Sequence, residues 1–244
     1  MLYNNHIVKI SDYGRKDMNN VEKLGYLTND YKMFHIVDRV QKKFDFHYHD
    51  FNKIMILLSG NINYSIEGKD YFLKPYDIIL VNQGEIHRPS ILDRSPYERV
   101  IIYVSTKFLN TYSDANYDLK YCFERAKKEH SNVLRIPSLD KSKLYQVSQE
   151  LEYSFTDNGF AKELYQKLLF LEFMIQLNRT ALSNHINYLD AVIGNEKLLQ
   201  IIDYINEHLT EEITIDTLSS YFYLSRYYLM HFFKEETGYT IGKY

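Results

Sequence analysis

The sequence predicts an α+β protein of two domains, a β-barrel with flanking helices followed by an all-α unit of short helices at the carboxyl end. Three observations lead there. Between about Phe34 and Ser105 the apolar residues come in short, alternating runs broken by Gly, Asn, Asp and Pro, which is a sheet pattern. After Thr106 the apolar spacing changes to threes and fours, the period of a helix. The length of 244 residues is more than one small domain needs.

Bulk composition narrows the function classes. Hydrophobic residues at 45% and charged residues at 25% can build a core, so disorder is not expected. A net charge of −3 announces neither nucleic acid nor an anionic membrane, and such a partner would have to be met by local residues. Cys122 is the single cysteine and cannot form an internal disulfide. The opening "MLYNNHIVKISDYG" lacks the basic stretch and apolar run of a signal peptide. A cytoplasmic protein is expected. No run approaches roughly 18 apolar residues, so no membrane span is expected either.

Residues 1–30 carry no legible pattern and are set apart as an extension. In residues 31–110 the expected strands are Met33–Val40, Lys53–Ser59, Asn61–Ile66, Tyr71–Leu73, Ile78–Val81 and Arg99–Ser105. Glu67, Gly68, Lys69 and Asp70 supply the glycine a tight hairpin turn needs. Short strands at close spacing predict a barrel or sandwich, because closure removes unpaired edges. In residues 111–190 Leu144, Val147, Leu151 and Phe155 share one helix face. The stretch "LYQKLLFLEFMIQL", 164–177, is apolar nearly all round. One of its faces can pack on the barrel; the other suits either a subunit interface or burial within the same chain. The polar run "RTALSNHINYLD", 179–190, reads as a helix end and linker.

From Asn195 the pattern sharpens. Leu198, Ile201, Ile202, Ile205 and Leu209 form one apolar helical stripe with Asn195 placed to cap it. A second helix opens at Thr214, with Asp216 in its first turn, and carries Leu218 and Phe222. Ser225 can cap a third, "SRYYLMHFFKEETG", which buries Leu229, Phe232 and Phe233 and stops at Gly238. Ser219 is small where the last two helices should approach. Two short helices joined by a tight turn, with a supporting helix before them, make a helix-turn-helix. In that unit the last helix, 225–237, enters the major groove. Arg226, Tyr227, Met230, His231 and Lys234 lie opposite its buried residues and are the candidate DNA contacts: Arg226 and Lys234 for phosphate, Tyr227 and His231 for hydrogen bonds, Met230 for a thymine methyl. The same residues also read as a solvated face with aromatic padding. Residues 195–244 hold four basic against eight acidic side chains, a net of −4, which predicts weak, salt-sensitive nonspecific binding.

The elements "YINEHLTEEITIDTLS", "LSRYYLMHFFKEETG" and "IGKY" resemble the first helix-turn-helix of the AraC/XylS family of bacterial transcription regulators. The resemblance spans 191–244 and implies a regulator that reads DNA, dimerises and answers to a small-molecule effector. In that family a linking helix and a second helix-turn-helix follow; this sequence stops at Tyr244, so a truncated reader is expected. The family often carries a cupin barrel, and residues 34–105 resemble one.

That resemblance bears on "FDFHYHDFNKIMILLSG", 44–60, and "NQGEIHRP", 82–89. His47, His49 and His87 fall where cupin enzymes hold a metal, but the position of their carboxylate ligand reads Lys53. An ammonium has no lone pair and repels a divalent cation. Parity puts His47, His49, Lys53, Met55 and Leu57 on one side of a strand if no bulge intervenes. Three uses remain open for the histidines: a zinc site completed by water, hydrogen-bonding groups at a wet barrel mouth, or polar groups that orient a small ligand. The last is preferred, with His47, His49, Lys53, Met55, Leu57 and His87 as the ligand site and Lys53 favouring an anionic or sugar-like effector. No metal or cofactor is expected, and no catalytic residue. The alternatives are a cupin-type isomerase or dioxygenase, and a dimerising module that inhibits full-length relatives.

Overall fold

A computed structural model describes residues 23–25, 27–40, 42–183, 186–193 and 195–244. The readings made on residues 1–22 and on Asn184 and His185 of the expected linker lie outside the described residues.

Among the described residues, ten strands form two antiparallel sheets. They are β1 (Tyr31–Asp38), β2 (Asn52–Ser59), β3 (Ile62–Ile66), β4 (Lys69–Phe72), β5 (Ile78–Val81), β6 (His87–Ile91), β7 (Tyr97–Val104), β8 (Val133–Arg135), β9 (Asn187–Tyr188) and β10 (Val192–Ile193). One sheet has the order β1-β7-β2-β5-β8-β9 and the other β10-β4-β3-β6. Strand alternation then decides which residues meet. Met55, Leu57, Ile79, Val81 and Ile101 of the first sheet pack with Ile62, Tyr64, Ile66 and Tyr71 of the second to fill the barrel. Ile54, Ile56, Ile78, Leu80, Val100 and Ile102 point the other way, into a second core against the helices. The β3–β4 turn is a two-residue loop between Ile66 and Lys69, with Glu67 and Gly68 both at positive φ, as a primed hairpin turn requires. The pairing shift of β2 falls between Leu57 and Ser59, so the parity of the residues before it is kept.

The helices are α1 (Thr106–Thr111), α2 (Tyr121–Lys128), α3 (Lys143–Ser154), α4 (Lys162–Leu182), α5 (Glu196–Glu207), α6 (Ile215–Tyr221) and α7 (Arg226–Thr237). The six expected strands and the three capped C-terminal helices are present. Side chains of Asn195, Thr214 and Ser225 accept from the backbone of Leu198, Thr217 and Tyr228, and Gly238 takes the left-handed conformation at the end of α7. Parts of the expected pattern change. The span 111–190 is not wholly helical, since β8 and β9 extend the first sheet. Phe155 stands at the end of α3 and is exposed, off the face that buries Leu144, Val147 and Leu151. Leu209 lies beyond the end of α5 and is exposed, so the buried stripe stops at Ile205. Helix α4 ends at Leu182, within the run read as a helix end and linker. Of the two uses left open for its outer face, burial within the same chain is not seen, since Leu164, Leu168, Ile175 and Leu182 are exposed.

Candidate functional site

His47 and His49 lie on the segment leading into β2, and His87 opens β6. The backbone N–H of His47 donates to the carbonyl of His87 at 3.1 Å and that of His87 to His47 at 2.9 Å. This two-way bridge brings the rings to centroid separations of 4.3 Å for His47–His87, 4.9 Å for His49–His87 and 5.1 Å for His47–His49. Each Nδ1 meets a backbone carbonyl: that of Asp45 at 2.9 Å for His47, of Glu85 at 3.0 Å for His87, and of Leu24 for His49. A carbonyl only accepts, so each Nδ1 carries the proton and each Nε2 of the neutral ring presents a lone pair. The Nε2 of His49 is buried with no hydrogen-bond partner.

Lys53 completes the cluster. Its Nζ donates to the hydroxyl of Tyr64 at 2.9 Å and to the Nε2 of His87 at 3.1 Å. Burial, then the charge of Arg99, lowers its pKa to about 7. Burial, then Lys53, lowers His47 to about 4 and His49 to about 3, and holds His87 well below its ordinary value. The imidazoles are therefore neutral at neutral pH. Met55 accepts from the hydroxyl of Tyr97 at 3.3 Å and Leu57 lies in the same interior core. All six expected residues thus face one buried interior. The sequence reading missed Tyr64, although Ile62, Tyr64 and Ile66 alternate visibly. It also missed the carbonyl of Leu24, a main-chain group that no side-chain pattern announces.

Residues of opposite parity do something else. Phe46, Tyr48 and Ile86 each adjoin one of these histidines, and all three pack with Leu198, Ile201, Ile202, Ile205 and Tyr239 of the carboxyl-terminal unit. The interior cluster and the seat of the helical unit are therefore two faces of the same short segments.

Three neutral imidazoles are a donor set for a divalent transition metal, and one ring nitrogen from each lies within 4.8 Å of the others. Lys53 does not fit that use. His87 Nε2 has a single in-plane lone pair, and the lysine N–H already points at it. As placed, the four side chains do not hold a metal.

On α7 the buried residues are Leu229 and Phe233, with Phe232 partly covered. Tyr227 is 74% exposed, Met230 and His231 are exposed beside it, and Lys234 is half-buried. Arg226 is exposed but pairs with Asp216 of α6, so the residue expected to serve phosphate also clamps the two helices together. His231 Nδ1 lies 3.2 Å from Glu235. Between α6 and α7 the turn uses Tyr223 at φ 54°, and the N–H of Leu224 closes α6 on the carbonyl of Ser219 at 2.9 Å. Among the described residues, no helix is long and apolar enough to cross a membrane.

Comparison with known proteins gives one family model and several similar chains. Residues 33–172 match the family described as AraC-like ligand binding domain. The chain is 23% identical over 211 residues to the uncharacterised HTH-type transcriptional regulator YbfI of Bacillus subtilis (strain 168), with 84% of this chain and 70% of that protein covered. It is 25% identical over 204 residues to the HTH-type transcriptional activator RhaS of Enterobacter sp. (strain 638), with the same coverage. Among solved structures it is similar to ToxT from Vibrio cholerae at a TM-score of 0.41 and 14% identity, over 88% of this chain and 79% of that one.

Proposed function

The chain belongs to the family of AraC-like ligand binding domains, and from that membership we propose that it is a ligand-responsive, DNA-binding transcription regulator. In this reading residues 31–110 sense an effector, 111–190 pair two chains and 191–244 read DNA in the cytoplasm. The observation that carries it is the shared segment. Phe46, Tyr48 and Ile86 support α5 and Tyr239 while their neighbours His47, His49 and His87 face the barrel interior. A ligand that shifts the histidines by a fraction of an ångström moves the seat of the DNA reader, which is the differential contact a two-state switch needs.

The effector site is His47, His49, Lys53, Met55, Leu57 and His87. Lys53 offers a buried donor to an anionic or hydroxyl oxygen, and the partnerless Nε2 of His49 offers an acceptor to a ligand O–H. A hydroxy acid or a sugar supplies both. Apolar side chains close the rest of the interior. DNA is met by the exposed face of α7 with Tyr227, Met230, His231, Arg226 and Lys234. The excess of acidic side chains in 195–244 favours a second reading, a dimerising module that blocks longer relatives.

The test is a thermal-shift screen of the purified chain against organic acids and sugars, paired with selection of bound sequences from a random DNA pool at low salt. One ligand class should raise the melting temperature, and one sequence should be enriched. No shift from any compound removes the effector site, and no enrichment removes the DNA reader in favour of the dimerising module.

A further inference from the structure

The disagreement between the histidines and Lys53 has a physical content of its own. Each Nδ1 of the three histidines is held by a main-chain carbonyl. That arrangement fixes the tautomer and ring orientation of metal-ligating histidines and raises the basicity of the other nitrogen. The rings are buried, their nitrogens are close together, and the Nε2 of His49 has no hydrogen-bond partner. Leaving such a lone pair dry is unfavourable, because a buried acceptor without a donor has lost its water and gained nothing in exchange. What stands against a metal is one side chain. Lys53, at 3.1 Å from His87 Nε2, takes the lone pair a metal would need and adds a like charge.

We infer that His47, His49 and His87 form a latent site for a divalent transition metal of the zinc or cobalt type, which Lys53 holds shut. Lysine and metal compete for one lone pair on His87, so occupation is one or the other. With Lys53 in place the barrel keeps its interior for an organic ligand. Replacing Lys53 by an uncharged side chain of similar length frees His87 Nε2 and leaves three neutral imidazoles to ligate. Replacing it by glutamate adds an oxygen donor instead.

The experiment compares the wild-type chain with Lys53→Met and Lys53→Glu, each checked for a folded circular-dichroism spectrum and cooperative melting. The proteins are incubated with cobalt(II) or zinc(II), desalted, assayed for metal by mass spectrometry and examined for cobalt d–d absorption. Wild type should retain less than about 0.1 metal per chain and the folded variants about one, with His87→Ala in the variant background returning the value to background. Stoichiometric cobalt in wild type that is lost on His87→Ala overturns the inference, because Lys53 then excludes nothing. So does the absence of metal from both folded variants, and so does metal that survives His87→Ala. Two substitutions are used because Lys53→Met leaves Tyr64 without its donor, whereas Lys53→Glu restores a polar partner. The readout is metal alone, so its failure is separate from a failure of the effector screen.

Discussion

The hydroxyl of Tyr244 donates to the carboxyl of Glu67, tying the carboxyl-terminal unit to the β3–β4 turn of the barrel. The other oxygen of Glu67 accepts from the N–H of Ile86 at 2.6 Å, next to His87. Burial raises the Glu67 pKa from 4.5 to about 7, against the hydrogen bonds from Tyr244 and Ile86; Glu85 adds to the rise and Lys69 opposes it. Between those two values the folded protein keeps a proton that the unfolded chain has released. This group's contribution is therefore full below about pH 4.5 and is lost as pH climbs to about 7. Glu67→Gln keeps one oxygen to accept from Ile86, presents an NH2 that donates to the Tyr244 hydroxyl as a protonated carboxyl would, and removes the titration. By calorimetry, the variant should match wild type near pH 5 and melt higher than wild type at pH 8. A wild-type advantage that grows with pH contradicts this account.

Gly68 follows in the same turn at φ +75°, and a Cβ there would stand 2.8 Å from Cδ2 of Leu198, which is buried on α5. Gly68→Ala meets two costs, the left-handed backbone and a displaced leucine, together about 1–2 kcal/mol. The loss should appear as a lower urea midpoint. Hydrogen exchange in residues 196–207 should quicken more than in α3. Equal quickening in both helices would place the effect in the barrel as a whole.

Legibility of the sequence followed the length and regularity of each element. The alternation of β2 and β3 and the caps at Asn195, Thr214 and Ser225 are local signals, and each was readable. Strand β6 was not, because Pro89 argues against a strand. It is tolerated there because β6 is the last strand of its sheet and Pro89 pairs with β3 on one side, while the bridge to His47 involves His87 alone. Strand β8 has three residues and is held by a distant partner: Arg135 pairs with Asp77 through Nε at 2.8 Å and through a terminal nitrogen at 2.6 Å. No window of sequence contains that pair. Of the interior set, His47, His49, Lys53, Met55 and Leu57 were legible through parity and His87 only through the resemblance to a cupin barrel, whereas the anchoring carbonyls and the seat formed by Phe46, Tyr48 and Ile86 depend on the tertiary fold.

Helix α4 exposes Leu164, Leu168, Ile175 and Leu182 at helical spacing, with Tyr165 beside them, while Phe170, Phe173, Met174 and Leu177 fill the core. A second copy of the chain can cover that stripe by the antiparallel or parallel packing of like helices. Leu168→Glu should convert a dimer to a monomer in sedimentation velocity. Its melting temperature should hold apart from the loss that dimerisation itself supplies. A wild type that sediments as a monomer at high concentration removes this interface.

The contrast between Arg226 and Tyr227 tests the DNA face most sharply. Tyr227 and Met230 are exposed, and the ring contact of Tyr227 is with His231 of the same helix, so Tyr227→Ala and Met230→Ala should leave the melting temperature nearly unchanged. Each should weaken binding to the selected sequence by about 1–3 kcal/mol, roughly fivefold or more, if its side chain meets base edges. Arg226 differs, because its ion pair with Asp216 joins α6 to α7 on the surface. Surface pairs contribute only about 0–1 kcal/mol, so Arg226→Ala should cost little stability. If the guanidinium also reaches phosphate, affinity should fall alike for all sequences and the salt slope by about one unit. Asp216→Ala frees Arg226 from its partner and should strengthen nonspecific binding. Loss of binding in that variant would mean that the clamp, rather than the arginine charge, is what DNA recognition requires.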